Sequence, residues 1–285
     1  MEMHSNERRK AMKVRDIDID FSTAAVFWTP KTPEFAQFWN ATSSYLPYLE
    51  PFLNRVVREG MGKLSDGDAE FLADCRIFIA QEGQHYRNHE KFNVMLRESG
   101  YPQLDDREAV MKGNYEEYLK DRGLKFCLGY AEGFETLGPI LACYFLESAR
   151  ELLDPEVDDP TADLWRWHLA EEYEHRHVCN HLFHRLYPGY WYRLYGIFYS
   201  GRHMFSYMIR TTLYLLREDY EAGRIRDPWR SRLRLLGVGG RMLAYVLPRL
   251  IKSMHPSYDP MDIPPPERSM EVLEKAEKLW ARKRP

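Results

Sequence analysis

The chain has 285 residues, enough to bury a large core in one or two domains. Charged residues make up 29% and hydrophobic residues 44%, as in ordinary soluble globular proteins. The net charge of −3 and the lack of a long basic run exclude a general nucleic-acid-binding protein. The start of the chain is polar and no apolar stretch reaches about 18 residues, so neither a secretory signal nor a transmembrane segment is predicted.

The four cysteines favour a reduced, cytoplasmic protein. They are Cys75, Cys127, Cys143 and Cys179, and no two of them form a C-x-x-C pair. Cys75 and Cys179 lie on apolar helical stripes, which is typical of reduced core residues and not of a disulfide framework.

Residues 1–32 are predicted to form an N-terminal arm. Its alternating stretch Asp16–Phe21 is expected to pack as a loop. The first helix is expected to begin near Pro33, since proline suits a first helical turn, and Thr32 would be its N-cap.

The second helix is expected to begin near Pro47 and to end at the glycines of residues 60–62. Glu50 shares one face of this helix with Leu53 and Val57. A single carboxylate on such a stripe is more often an exposed or capping residue. Glu50 becomes a candidate metal ligand here because the following helices carry Glu and His residues that would need a further carboxylate to complete a metal site.

A long helix is predicted from about residue 65 to residue 100, and it carries the first motif. Glu82 stands three residues before His85, and His89 follows seven after Glu82. At 100° per residue these side chains fall within about 60° of arc, so one metal ion could contact them. The same stripe is apolar at both ends and therefore faces a core. Its apolar members are Phe71, Cys75, Phe78, Phe92 and Leu96.

The next segments are a short helix over about 107–119 and a long helix over about 122–153. Pro139 falls inside the long helix and is expected to kink it. Glu132 and Glu135 both lie on the face that would meet the metal, and the spacing does not separate them as candidate ligands.

The second motif lies on a helix predicted over about 160–187. His168 stands four residues before Glu172, which stands three before His175, so all three share about 60° of arc. The neighbouring Glu171 lies about 100° away and is the rival of Glu172. Glu172 is the preferred ligand.

Two more helices are predicted, over about 190–218 and 228–252, followed by a proline-rich connector and a charged terminal helix. Both helices are rich in aromatic, leucine and arginine residues. They either pack on the preceding helices or form an interfacial surface or an apolar substrate channel. The expected organisation is one domain, with a helical bundle over 33–188 and a C-terminal extension over 189–285.

Four helices thus carry inward groups in the order Glu; Glu-x-x-His; Glu; Glu-x-x-His. This is the ligand order of ferritin-like four-helix bundles with a di-iron or di-manganese site, which predicts an all-α fold. Carboxylates neutralise two cations, and the imidazoles complete their coordination. The alternative is a pair of buried Glu–His hydrogen bonds without metal, which is disfavoured because the motif occurs twice.

Four segments carry a resemblance to known families. The His168-x-x-x-Glu172-x-x-His175 helix is similar to that of p-aminobenzoate N-oxygenase-type di-iron oxygenases, and the whole pattern resembles the ferritin-like family of predicted metal-dependent hydrolases. The matching segments are Leu46–Phe52, Gln81–Asn93, Trp167–His175 and Met254–Asp259. The resemblance implies the ligands Glu50, Glu82, His85, Glu132, His168, Glu172 and His175, with His89 as an eighth ligand or just outside the set.

The pattern favours an O₂-activating oxidase or oxygenase with two iron ions, or Fe/Mn, that acts on a small apolar or amine-bearing substrate. Phe78, Phe92 and Trp165 would wall its substrate pocket. One alternative is a metal-dependent hydrolase that uses a bridging metal-bound hydroxide, for which zinc would suffice. A second alternative is a metal-binding or storage protein that is not an enzyme. No catalytic residue is predicted apart from the metal ligands.

The predicted partners are a small-molecule substrate and no nucleic acid. The sequence also leaves room for an electron donor, for contact with a membrane surface and for a homodimer.

Overall fold

The computed structural model describes residues 12–282, and within them the fold is all-α, as predicted. The β contact found in this range is one antiparallel bridge between Ile17 and Ala281. Residues 1–11 of the predicted arm lie outside the described residues. In the described range, no helix combines the length and apolar character needed to cross a membrane.

The described residues contain twelve α-helices and two short 3₁₀ turns, at Asp66–Asp68 and Pro260–Asp262. The helices are α1 (Pro33–Ser43), α2 (Leu46–Met61), α3 (Ala69–Glu98), α4 (Leu104–Asp121), α5 (Leu124–Glu135), α6 (Gly138–Glu147), α7 (Arg150–Leu153), α8 (Pro160–His175), α9 (Val178–Leu186), α10 (Tyr190–Glu221), α11 (Pro228–Ser253) and α12 (Ser269–Trp280).

The single helix predicted over 122–153 is wrong, because the segment forms α5, α6 and α7. Pro139 stands in the first turn of α6, where its missing N–H costs little. Gly138 precedes it at a crowded point. A Cβ on Gly138 would lie 2.5 Å from Oε2 of Glu172, so a larger residue there would displace that carboxylate oxygen.

The single helix predicted over 160–187 is also interrupted, between α8 and α9. Arg176 follows the last residue of α8, and its guanidinium donates to the carbonyl oxygen of Tyr173 at 2.7 Å. It also donates to the carbonyl oxygen of Pro260 at 2.9 Å. The side chain thus satisfies a carbonyl at the end of α8 and ties that end to the 3₁₀ turn at 260–262.

The core lies between packed helices, and α2 packs against α3, α6 against α8 and α10 against α5. The contact between α5 and α10 is unusually close. A Cβ built on Gly196 would collide with the carbonyl oxygen of Gly129, so the two backbones meet there without an intervening side chain. The helices after residue 189 therefore pack directly on one of the helices that surround the candidate site.

The stretch Asp16–Phe21 packs as a loop, as predicted. Ile17 and Ile19 are buried, and both bind the side chain of Asn88 on α3. The Asn88 amide donates to the carbonyl oxygen of Ile17 at 3.0 Å and accepts from the N–H of Ile19 at 3.0 Å. These bonds hold the N-terminal segment against the helix that carries the first motif.

Candidate metal centre

Seven buried side chains converge between α2, α3, α5 and α8 in two groups that could each hold a metal ion. Within each group, one potential ligand atom from every residue lies within 4.8 Å of the others. The first cluster is Glu50, His85 and His168, and the second cluster is Glu82, Glu135, Glu172 and His175.

Glu172 lies between the two clusters. Its Oε1 is 3.1 Å from Nε2 of His168, whereas its Oε2 is 3.4 Å from Nε2 of His175. Glu82 has a similar position, since its Oε1 is 3.5 Å from Nδ1 of His85 and 3.3 Å from Nε2 of His175. Each carboxylate can therefore reach a cation in either cluster.

Most carboxylate oxygens of this centre lack a hydrogen-bond partner in the described protein. Both oxygens of Glu50, Glu82 and Glu135 are buried and have no hydrogen-bond partner within residues 12–282. Burial raises the pKa of Glu50 well above its usual value, and the charge of Glu82 raises it further. Burial and the charge of Glu172 likewise raise the pKa of Glu135 well above its usual value. Unpaired buried oxygens are costly, and divalent cations supply both the missing partner and the missing charge.

His85 is oriented by an outer carboxylate. Its Nε2 is 3.0 Å from Oε2 of Glu171, and Arg15 donates to Oε1 of the same carboxylate at 2.9 Å. Because a carboxylate accepts, Nε2–H of His85 donates and Nδ1 is left to face the clusters. A histidine ligand of a metal commonly has such an outer carboxylate.

His175 is oriented by Gln81. The Gln81 amide nitrogen donates to Glu174 at 2.9 Å and to the carbonyl oxygen of Lys13 at 3.1 Å, so its amide oxygen must face His175. That oxygen is 3.0 Å from Nδ1 of His175. Nδ1–H therefore donates, and Nε2 of His175 is left with a lone pair that points at the carboxylates of the second cluster.

His168 is oriented through His89. Nδ1 of His168 is 2.9 Å from Nε2 of His89, whose Nδ1 is 2.8 Å from Oγ of Ser43. Ser43 in turn donates to Oδ1 of Asn93 at 2.7 Å, so it accepts from His89. Burial and the neighbouring His168 hold the pKa of His89 well below its usual value, which keeps the ring neutral. His168 therefore donates through Nδ1, and its Nε2 lone pair faces Glu172.

The structure separates the ligand candidates that spacing left open. Glu135 lies in the second cluster, whereas Glu132 accepts from Arg193 at 2.7 Å and from Asn180 at 3.0 Å, outside both clusters. Glu132, which the resemblance implied as a ligand, therefore does not lie in either cluster, and the guanidinium of Arg193 on α10 neutralises its charge. His89 lies behind His168, and the rival Glu171 lies behind His85.

We expect the Glu135→Gln variant to bind one metal ion per chain where the parent protein binds two. Glu135 belongs to the second cluster alone, whereas Glu82 and Glu172 reach both clusters. The matched Glu132→Gln variant should bind two, since its amide oxygen can still accept from Arg193. Its free energy of unfolding should fall by about 1–3 kcal/mol. Equilibrium dialysis against Mn²⁺ followed by elemental analysis measures the stoichiometry. Loss of metal from the Glu132 variant alone would reverse the assignment.

Sequence reasoning missed the residues that orient the histidines. Gln81 stands beside Glu82 in the chain, so its position next to the motif was the available signal. Arg15 offered none, because it is 156 residues away from Glu171 along the chain. Ser43 and Asn93 are ordinary polar residues whose role arises only from the packing of α1 against α3.

A narrow apolar cavity of about 50 Å³ lies next to the centre, large enough for a few water molecules. His168 and Glu172 lie on its inner wall. Of the aromatic residues predicted to wall a substrate pocket, Trp165 lines this cavity, whereas Phe78 packs against His175 with ring centroids 4.8 Å apart. Phe92 lies in a separate part of the core. The remaining lining is apolar and includes Leu137, Met204, Phe205, Met208 and Met242.

Comparison with known proteins supports metal dependence. A family model described as predicted metal-dependent hydrolase matches residues 13–263, a range that contains both clusters and Arg15. Searches of the curated proteins and of the solved structures found no significant match. Because the match covers most of the chain, the protein belongs to the family of predicted metal-dependent hydrolases.

Proposed function

We propose that the protein is a metal-dependent hydrolase that holds two divalent cations in its two clusters. The observation that carries this proposal is the set of seven buried metal-ligand candidates. Seven of their eight carboxylate oxygens have no hydrogen-bond partner in the described protein. The family description favours hydrolysis over the oxidoreductase that ligand chemistry alone suggested, and no comparison supports the oxidoreductase.

Each group of side chains has a distinct role in this proposal. Glu50, His85 and His168 would hold one cation, Glu135 and His175 the other, and the two central carboxylates would contact both. Cations bound in this way would lower the pKa of a water molecule and polarise a carbonyl group. The outer hydrogen bonds to the three histidines keep their lone pairs aimed at the cations.

The proposed substrate is an ester or amide that bears an apolar group. The cavity beside His168 and Glu172 has an apolar lining, and it leads to the centre from one side. Its volume of about 50 Å³ is too small for an organic substrate, so side chains must move on binding. Three methionines, Met204, Met208 and Met242, lie in its wall, and methionine repacks more readily than other apolar residues.

We further propose a ferritin-like origin for the centre, and a relation to the p-aminobenzoate N-oxygenase type of protein. The ligand order Glu; Glu-x-x-His; Glu; Glu-x-x-His follows α2, α3, α5 and α8, with Glu135 as the third-helix member. In this proposal residues 33–188 form the metal-holding bundle and residues 189–285 an extension packed on it, within one domain.

Removal and return of the metal tests the hydrolase. The purified protein is stripped with a chelator, reloaded with Zn²⁺, Mn²⁺ or Fe²⁺, and assayed with p-nitrophenyl acetate, butyrate and octanoate. We expect hydrolysis only in a form with two metals per chain, with preference for the longer acyl groups. A protein that binds two metals and hydrolyses none of these esters would contradict this substrate class.

A second candidate, an O₂-activating oxidase, is favoured by one observation. The centre offers four carboxylates and three imidazoles, a donor set that suits iron or manganese, whereas zinc needs fewer carboxylates. Anaerobic loading with Fe²⁺ and mixing with oxygenated buffer tests it. O₂ uptake with a new visible absorption band, absent in the Glu82→Ala variant, would favour the oxidase over the hydrolase.

A further inference from the structure

Helix α11 exposes a continuous apolar face. At 100° per residue, six large apolar side chains fall on about 80° of its circumference. Their exposed fractions range from 44% to 71%, and Trp229 and Leu236 are the most exposed at 71% each. A face of this length on a helix of 26 residues is not a scatter of single surface residues, and such faces mark interaction sites. The six are Trp229, Leu233, Leu236, Leu243, Leu247 and Ile251.

Helix α10 has a second apolar face of the same kind. Five large side chains fall within about 60° of its circumference. Trp191 near the start of the helix is 79% exposed, and Phe198 two turns later is 61% exposed. The five are Trp191, Tyr195, Phe198, Ile209 and Leu213.

These two helices are also strongly basic. Helix α10 has four arginines, and its three carboxylates, Glu218, Asp219 and Glu221, all lie in its last turn; α11 has six Lys and Arg residues and no Asp or Glu. Within the described residues, no ion pair joins Arg202 of α10 or Arg232 of α11 to a carboxylate. At 100° per residue, both arginines lie on or beside the apolar face of their helix. The guanidinium of Arg232 lies over the ring of Trp229, 5.3 Å from its centroid, which places charge beside the apolar face. A chain of net charge −3 therefore places unpaired positive charge beside each of the two exposed apolar faces.

We propose that the exposed faces of α10 and α11 dock on an anionic lipid surface. Apolar side chains, two tryptophans and flanking arginines are the features by which amphipathic helices lie in the headgroup region of a membrane. Basic residues near an anionic surface strengthen that binding. Neither helix meets the requirements for crossing a membrane, so they lie on its surface.

The charge pattern disfavours a second copy of the chain as the occupant. A two-fold symmetric contact through the exposed faces would bring the unpaired Arg202 and Arg232 of one copy towards the same arginines of the other copy. No carboxylate of α11 is available to pair with them. An anionic surface offers the complementary charge that a second copy lacks.

Both helices that carry the docking faces also line the apolar cavity. Phe205 of α10 and Met242 of α11 line the cavity that reaches His168 and Glu172. Docking would therefore bring the cavity close to apolar substrates dissolved in the membrane, a consequence that rests on the proposed hydrolase. The docking itself does not depend on that activity.

Vesicle co-sedimentation of the full-length, metal-loaded protein tests the docking. The probes are vesicles of phosphatidylglycerol and of phosphatidylcholine. We expect the protein to sediment with phosphatidylglycerol, less so at high salt, and weakly with phosphatidylcholine. The Leu236→Glu/Leu243→Glu variant should lose at least about tenfold in affinity, since two apolar anchors become charged. The Arg202→Gln/Arg232→Gln variant should lose about tenfold or more in affinity for the anionic vesicles.

The matched control is Val110→Glu on α4, because Val110 is 60% exposed and distant in the chain from both basic helices. This variant should bind vesicles as the parent does. Circular dichroism and metal content show that each variant is folded. The proposal would be overturned if the parent protein bound neither kind of vesicle. It would also be overturned if the Leu236→Glu/Leu243→Glu variant bound as tightly as the parent. A dimer in sedimentation velocity that the two glutamates dissociate would assign the face to a second copy.

Discussion

The Glu172→Gln variant is expected to lose stoichiometric binding of both metal ions, with affinities lower by more than about a hundredfold. Glu172, like Glu82, reaches both clusters, and its two oxygens lie 3.1 Å from His168 and 3.4 Å from His175. A neutral amide offers one oxygen acceptor and removes a charge that both cations would share. Equilibrium dialysis with Mn²⁺ gives the stoichiometry. Thermal unfolding gives a second readout, because metal should raise the Tm of the parent and not of the variant.

The neighbouring Glu171→Gln variant is the matched control. Glu171 stands one residue earlier on α8, is equally buried, and contacts His85 from outside the clusters. Its amide oxygen can still accept from His85, so we expect two metals per chain with an affinity about ten- to a hundredfold weaker. If Glu172→Gln retained two metals, or if the two variants behaved alike, the central position of Glu172 would be wrong.

The Gly196→Ala variant is expected to lower the free energy of unfolding by about 3 kcal/mol. The added methyl group would collide with the backbone carbonyl of Gly129 on α5. A backbone carbonyl cannot move aside by a change of side-chain rotamer. Helices α5 and α10 would have to separate, and that movement would disturb the nearby Arg193–Glu132 pair. Urea unfolding followed by circular dichroism measures the change.

Gly201→Ala on the same helix is the matched control for this prediction. A Cβ at Gly201 meets nothing within 4 Å, so alanine adds no collision there. Alanine is better than glycine within a helix, and we expect a stabilisation of about 0.5–1 kcal/mol. The two substitutions are chemically identical, so opposite signs would isolate the helix contact as the cause. Equal destabilisation of both variants would show that the close approach of α5 and α10 is not the cause of the effect at Gly196.

Local periodicity was sufficient to predict the all-α fold and most of the helices. Proline and glycine marked the ends of α1, α2 and α3 because their effects act within one or two turns. The same local rules brought Glu82 and His85 onto one face, and His168, Glu172 and His175 onto another. Residues three and four apart on a helix are neighbours whatever surrounds the helix, so this part of the centre needed no tertiary information.

The tertiary structure decided the features that depend on distant partners. Glu132 and Glu135 are both buried on α5, and only the approach of Arg193 from α10 removes Glu132 from the centre. The break after α8 depends on Arg176 reaching Pro260, a contact across 84 residues. The orientation of His85 depends on Arg15 in the N-terminal segment. A sequence read along one helix determines which side chains share a face. The packing of other segments determines which buried charge is neutralised by protein and which is left for a metal.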